Sequence, residues 1–477
     1  MPAQPPFFEL QFGQLDAAQE AVDTPDLLID GFYDYREAAY GIEAQQVWLL
    51  LGPKGSGKSA VLQHLRLRWE DRYDRFFSSW LLSGFPVNDV AAIQTGQSPG
   101  ASRAQSAWEL LLLLRIVETL NRDESLRAPQ SFHDMYRGLA EARLLSGDWL
   151  SKVSSWSKTT VKFDVKVFGI SSERNAQSLS ALEASAYLRN QIAQTSTEHH
   201  HVIALDGLDS FFFEASDEWT SLAGLMQALH LLNREMREAA LPLTLVAAMR
   251  SDIFDMLPGP EMNKLKPHSV YLDWHAHGIG RDNALWQLLT RKAAVRRPEV
   301  KNVVSQYLGA RIEIGPHSDL PTLLLENTRL LPRDVVALMS YLQRGYRGKN
   351  AIPSDNAKSS IEAYTQEYFV GEIFDNLAGV LPAENARGLA SFKDALRTAP
   401  TRLFDFQYLI DELQGELSPV EIKQLLRQMF ETGGVGIYNN GYTDFVFRKI
   451  SGGGFTVRYQ FMLHDALTRA WNRRWRD

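Results

Sequence analysis

Eight consecutive residues carry the clearest chemistry in the chain: Gly52, Pro53, Lys54, Gly55, Ser56, Gly57, Lys58 and Ser59. They fit the pattern G-x-x-x-x-G-K-[ST] and lie between an apolar run, "QVWLLLG", and a helical pattern. Gly55 and Gly57 can take backbone angles closed to other residues, so successive N–H groups can turn inward as an anion nest. A helix starting near Lys58 adds its positive dipole end. The Lys58 ammonium would reach β- and γ-phosphates, the Ser59 hydroxyl would hold Mg²⁺, and Lys54 reads as a loop residue of the cradle.

A phosphate loop needs a second strand ending in a carboxylate that fixes the metal. "HHHVIALDGLDS" supplies one: Asp206 at the strand's carboxyl end for Mg²⁺, and Asp209 to orient or deprotonate the attacking water. His199, His200 and His201 precede that strand, and three adjacent histidines on an extended segment cannot face one metal together. They read as a polar loop entering the strand. "LTLVAAMRSDIFDML" puts Arg250 at the end of the next strand, where ligands of such sheets bind. Arg333, after Pro332 in "ENTRLLPRDVVALMSYLQR", starts a helix from which it would close over a nucleotide.

The elements that must position these residues alternate along the chain. Strands are predicted at 46–52, 75–82, 201–207, 243–250 and 269–274, with helices near 58–70, 105–122, 178–194 and 217–239. Strands separated by helices argue for a parallel sheet. "TTVKFDVKVFGI" alternates apolar and polar residues and predicts an inserted strand pair at about 155–172. From about 280 to 400 the pattern is nearly all helical. The tail from "YLIDELQGELSPVEIKQLL" onward reads as helix, Ser-Pro helix start and helix, then two strands joined around "SGGG". The fold class is therefore an α/β P-loop NTPase with a helical lid and a C-terminal winged-helix-like domain. Its expected parts are an N-terminal segment 1–30, the α/β domain 31–278, the lid 279–400 and the winged-helix-like part 401–477.

Composition narrows the classes. At 477 residues two or three domains are expected. A net charge of −7 gives no global pull toward nucleic acid or anionic membrane. The absence of cysteine removes disulfides, thiolate catalysis and cysteine-based zinc sites. The first residues lack a secretory pattern, and "WELLLLLRIV" is broken by Arg115 and far short of a membrane span. A cytoplasmic protein without membrane contact is the expectation.

The stretches "LGPKGSGKSAVL", "VIALDGLDS", "AMRSDIFDML…VYLDW" and "RLLPRDVVALM" resemble, in order and spacing, a bacterial family of stand-alone P-loop ATPases. That family is allied to the STAND signal-transduction ATPases and, more distantly, to AAA+ proteins. The resemblance covers most of residues 30–345 and implies a Walker A motif at Gly52–Ser59, a Walker B at Asp206 and Asp209, a sensor 1 at Arg250 and a sensor 2 at Arg333. Position 210 is Ser where many relatives carry Glu, which argues for slow hydrolysis. "GFYDYREAAYGIE" resembles the stretch beside the adenine, so Tyr33, Tyr35 and Arg36 either line that pocket or pack a helix face.

The reading is an ATP·Mg²⁺ switch, binding between α/β domain and lid, of a kind common in signalling and anti-phage defence. Two alternatives stand beside it: a DNA-dependent AAA+-like ATPase, and a pseudo-ATPase scaffold that binds nucleotide for structure only. The expected partners are ATP and ADP, further copies of the chain lending an arginine, and an effector protein. Arg281 and Arg291 are the arginines considered for that loan. DNA is not favoured. The tail's Arg469, Arg473, Arg474 and Arg476 interleave with Trp471 and Trp475, but the second tail helix, 421–434, is not notably basic.

Overall fold

The computed structural model describes residues 4–83, 85, 87–93, 95, 101–145, 156, 162–164, 167, 178–208, 216–258, 260–276, 278–309, 311–314, 317–382, 385–448 and 454–473. By packing the chain divides into two units. One, the sheet unit, comprises Asp34–Lys54 and Lys58–Leu272; the other, the helical unit, comprises Met1–Tyr33, Gly55–Gly57 and Asp273–Asp477.

The sheet unit is built on β1 (Leu49–Leu51), β2 (Arg75–Leu81), β5 (His200–Asp206), β6 (Leu243–Met249) and β7 (Ser269–Tyr271), with β3 (Lys162–Asp164) and β4 (Ser178–Ser180) forming a separate pair. The five strands lie in the order β2-β5-β6-β1-β7, and every pairing is parallel. All seven residues of β6 are buried, as a central strand covered on both faces requires. Alternate side chains serve two cores. Leu49, Leu51, Ile203, Leu205, Leu245 and Met249 join one cluster with the helices Ala101–Leu120, Ala181–Ala193 and Ser216–Glu238. Leu50, Val202, Ala204 and Val246 point to the opposite face, where the helix Lys58–Trp69 buries Val61, Leu62 and Leu65.

The helix Ala101–Leu120 holds the apolar run singled out above; it is buried because it is apolar almost all round. Asn233, fully buried in the helix Ser216–Glu238, accepts from Leu245 N at 2.9 Å and donates to Leu245 O at 2.8 Å. It thereby satisfies β6 backbone groups at a level that β1 does not reach.

Of the stretch 155–172, where an inserted strand pair is expected, only 156, 162–164 and 167 are described. Within 159–170 the described strand is β3, and its antiparallel partner β4 lies at 178–180, outside the predicted bounds. Residues 178–180 were expected to open the following helix. That helix instead starts at Ala181, because Ser180 accepts from Glu183 N while Glu183 accepts from Ser180 N, a capping box.

In the helical unit the described residues before Tyr33 are packed into its core. Phe7, Leu10, Phe12, Leu27 and Leu28 are buried. Gln343 donates to the carbonyls of Phe7 and Leu10, and the Tyr307 hydroxyl donates to Pro5 O. The principal helices are Ala284–Arg296, Pro332–Gly345 and Ser354–Tyr364, the last running through a π-helical turn at Thr365–Phe369 into Val370–Asp375. A short hairpin, β8 (Arg311–Ile314) with β9 (His317–Asp319), lies within the stretch expected to be nearly all helical.

The tail carries helices Gly388–Thr398, Phe406–Glu412 and Pro419–Glu431, together with a sheet ordered β10-β13-β11-β12: Leu403–Phe404, Gln460–Leu463, Val435–Asn439 and Tyr442–Asp444. Its tight hairpin, β11 to β12, turns at Asn440 (φ 48°) and Gly441 (φ 88°), the residue pair that a two-residue turn with both φ positive favours. The join expected around "SGGG" falls on 451–454, of which Ser451, Gly452 and Gly453 lie outside the described residues. Among the described residues no helix is long and apolar enough to cross a membrane.

Candidate functional site

Strand order fixes where a ligand can sit. From β1 the chain crosses to the far edge strand β2, while from β6 it crosses the other way, past β1, to β7. Connections leaving adjacent strands in opposite directions open a crevice at their carboxyl ends. Three of the sequence-predicted elements end there. Gly52 follows β1, Arg250 follows β6, and Asp206 closes β5. With parallel strands about 4.8 Å apart, Asp206 lies about 10 Å across the sheet from β1.

The loop after β1 has the backbone that the motif demands. Gly55 (φ 88°) and Gly57 (φ 98°) both occupy the left-handed region, where a side chain is strained. Among the described residues no acceptor meets the N–H of Gly55, Ser56 or Gly57. Lys58 opens a twelve-residue helix and is nearly fully buried. Its Nζ donates to Gly52 O and Pro53 O, each at 3.1 Å, so the ammonium is folded against its own loop. Ser59 is half-buried in the first turn, and Lys54 is exposed. Ser56 is fully buried, and among the described residues its hydroxyl has no hydrogen-bond partner. Uncommitted amides, an orphaned hydroxyl and one buried ammonium form a donor set that fits a polyanion.

Asp206 is half-buried; its Oδ1 accepts from Gly207 N at 2.8 Å, and its own carbonyl accepts from Leu82 N. Asp209 and Ser210 lie outside the described residues. Arg250 is half-buried and forked onto Asp252, Nε to Oδ1 at 3.0 Å and Nη2 to Oδ2 at 2.5 Å. Asp252 stands two residues on in the sequence, so this partner was legible in "MRSD".

Gly55–Gly57 packs as part of the helical unit, and Arg333 is its neighbour there. Arg333 N approaches Gly55 O at 3.4 Å, and a Cβ on Gly55 would come within 3.1 Å of Arg333 Cβ. Trp274 Nε1 donates to Ser56 O at 2.9 Å, a contact that no motif foretold. The segment bearing Arg333 is clamped from beneath. Buried Arg329 is forked onto buried Asp334, and Leu330 between them has a φ of 54°. Asp334 also accepts from Arg329 N at 2.9 Å.

The remaining candidates are engaged elsewhere. Arg291 lies 5.1 Å over the Tyr33 ring and donates to Phe32 O, while Arg281 pairs with Asp319. Tyr33 packs on Trp274, and Tyr35 is buried beneath the Arg36 guanidinium, arrangements that fit packing. Arg469 donates to Asn327 Oδ1 and Trp471 packs on Phe374, inside the helical unit. Arg474, Trp475 and Arg476 lie outside the described residues.

The histidines do more than enter a strand: His200 and His201 begin β5. His199 Nδ1 lies 2.9 Å from one oxygen of Asp123, and His201 Nε2 lies 3.3 Å from the other. Thr197 donates to the same carboxylate at 2.6 Å and Ser125 N at 2.9 Å. Burial would raise the Asp123 pKa, but these donors outweigh it and hold the carboxyl below its ordinary value. Burial pushes His201 down to about 4 despite the carboxylate. Among the described residues no group of His, Cys, Asp and Glu is arranged to hold a metal.

No family model matches the chain, and no curated protein matches it. Among solved structures the chain is similar to the crystal structure of Cdc6p from Pyrobaculum aerophilum, at 12% identity over 98% of this chain and 97% of that one. The TM-score is 0.32, too low a superposition to carry function from one protein to the other.

Proposed function

We propose that this chain is a nucleotide-driven switch ATPase that binds ATP or ADP at Gly52–Ser59 and hydrolyses ATP slowly. The observation that carries the reading is the loop after β1: left-handed glycines, amides without acceptors and a buried Lys58, set at the sheet's crevice beside the strand ends that bear Arg250 and Asp206. Triphosphate oxygens would take the Gly55–Gly57 amides and the Lys58 ammonium, which would exchange its two loop carbonyls for them. Ser59 and Asp206 would hold Mg²⁺, whose charge screens the phosphates when bound. Arg250 and Arg333 are the proposed readers of the γ-phosphate, and Asp209 the residue that orients water.

The motif resemblance supports a STAND- or AAA+-like role in bacterial signalling or anti-phage defence. The packing of Arg469 and Trp471 inside the helical unit supports a winged-helix-like tail that restrains or reports the switch rather than reads DNA. Differential contacts to the γ-phosphate are what would bias one arrangement over another.

The test is calorimetric titration of Mg-ATP and Mg-ADP into the full chain and into Lys58→Ala. Charge-assisted hydrogen bonds contribute about 1.5–3 kcal/mol each, so losing two should weaken ATP binding by about 100-fold or more. Equal heats from wild type and Lys58→Ala would refute the assignment.

A further inference from the structure

Arg333 is held as a fork with one prong fixed. Its Nε donates to Leu15 O at 3.0 Å, while among the described residues Nη1 and Nη2 meet no acceptor. The carbonyl that holds it belongs to an exposed residue in the turn Gly13–Leu15, which has little packing of its own to fix it. What fixes the turn lies beneath it. Glu20 is 3% exposed and Lys292 6%, and the two are paired inside the helical unit. One Glu20 oxygen meets Lys292 Nζ, and the other accepts from Gln14 N at 2.6 Å. A Cβ on Gly13 would stand 2.6 Å from that second oxygen and 2.9 Å from Lys292 Nζ, and its φ is 98°. The chain therefore bends around a buried carboxylate, and only glycine fits the bend.

A buried ion pair is an inefficient way to hold a helix to a strap. Desolvating two charges offsets most of their attraction, and an apolar pair of the same size would serve as well. What an apolar pair lacks is a directed acceptor for Gln14 N. We propose that Glu20 and Lys292 are positioning residues for Arg333: they set the Gly13–Leu15 turn so that the Leu15 carbonyl anchors the guanidinium beside Gly55, with its two terminal nitrogens reserved for the γ-phosphate. The proposal rests on the reading of Gly52–Ser59 as a triphosphate cradle. A guanidinium already ordered loses less freedom on binding, so the strap raises ATP affinity over ADP affinity without touching the nucleotide.

The experiment compares Mg-ATP and Mg-ADP affinities of the full chain by calorimetry in four forms: wild type, Arg333→Ala, Glu20→Met with Lys292→Met, and the three substitutions together. The paired substitution removes both charges and leaves neither stranded. Arg333→Ala should shrink the ATP-over-ADP preference about tenfold, the scale of one charge-assisted hydrogen bond. Glu20→Met with Lys292→Met should shrink it several-fold and leave ADP affinity unchanged, and the triple form should match Arg333→Ala alone. Should the paired variant melt below the assay temperature, Gln14→Pro deletes the amide that Glu20 holds, together with the exposed Gln14 side-chain bond to Asp23, and should give the same partial loss. Gln14→Ala, which loses the side-chain bond alone, should keep the wild-type preference. A wild-type preference in the strap variants, or losses that add to that of Arg333→Ala, would overturn the proposal while leaving the cradle reading intact. No binding of either nucleotide to wild-type protein would overturn both.

Discussion

The two ends of β5 carry comparable chemistry and use it in opposite ways. At the amino end, Asp123 is saturated: two ring nitrogens, a hydroxyl and an amide converge on one carboxylate, and His201 is stacked on Phe76 at 4.7 Å. At the carboxyl end, seven residues along, Asp206 stands half-buried at the crevice where β1 opens into a loop whose amides meet no acceptor among the described residues. Saturation is what a structural cluster needs, since an unmet buried group costs about 1–3 kcal/mol. Donors held ready without acceptors make sense only where a ligand supplies the acceptors. Titratable residues alone therefore do not mark the site; the balance of donors and acceptors does.

Substitution at the two ends should separate them. The largest effect is expected from Asp206→Asn, which keeps the shape of the strand end and removes the charge proposed to hold the metal. ATP turnover, measured by phosphate release against Mg²⁺ concentration, should fall about 100-fold or more, with nucleotide affinity changed by a few-fold at most. Turnover within a factor of a few of wild type would remove Asp206 from the site.

The contrast between the two ends was only half visible in the sequence. Apolar runs of four to seven residues and the helical periods between them are local signals, and all five strands of the main sheet fall within the predicted bounds to about a residue at one end or the other. The glycine loop was legible for the same reason, since its chemistry is packed into eight consecutive positions. Partnerships across the chain were not. Asp123 lies 76 residues from His199, and Glu20 lies 272 from Lys292, so nothing local announces either pair. Trp274 on Ser56 spans 218 residues and follows from tertiary packing alone. The β3–β4 pair was missed in part because strand pairing requires a partner, and alternation within one stretch says nothing of where that partner lies.

An intermediate effect is expected at the amino end, and it should appear in stability rather than binding. His201 is held near 4 in the folded chain, below the ordinary 6.5, so the fold contains it neutral. Its Nδ1 is buried without a partner among the described residues, and a proton there would find no acceptor among them. The unfolded chain takes up that proton from pH 6.5 downward, while the folded chain resists until about 4. The stabilisation is thus complete above about 6.5 and is lost as pH falls toward 4, by up to about 3 kcal/mol. Asp123 acts in a lower window, below the ordinary 3.8 of its carboxyl, because its pKa is depressed. His201→Gln keeps a donor for Asp123 without a titrating group. Denaturant melts from pH 7 to 4 should show a flatter decline for this variant than for wild type, with nucleotide affinity at neutral pH within twofold of wild type. A decline as steep as that of wild type would show that another group sets the slope.

The smallest effect is expected at Ser56, where the two logics meet in one residue. Its hydroxyl is fully buried in the loop and has no partner among the described residues, so the fold bears a desolvation cost there without a compensating bond. Ser56→Ala should therefore leave the melting temperature of the nucleotide-free chain unchanged or raise it by the equivalent of at most about 1 kcal/mol. Most buried serines behave the other way, because their hydroxyls are bonded. With nucleotide present the sign should reverse: the hydroxyl gains a phosphate acceptor, and Ser56→Ala should bind ATP about two- to fivefold more weakly, the backbone amides and Lys58 still holding the rest. Thermal melts of both proteins with and without Mg-ATP read the two numbers together. A variant that melts several degrees lower without nucleotide would mean that the hydroxyl serves the fold, and the loop would then lose one of the features that set it apart from the saturated Asp123 carboxylate at the other end of β5.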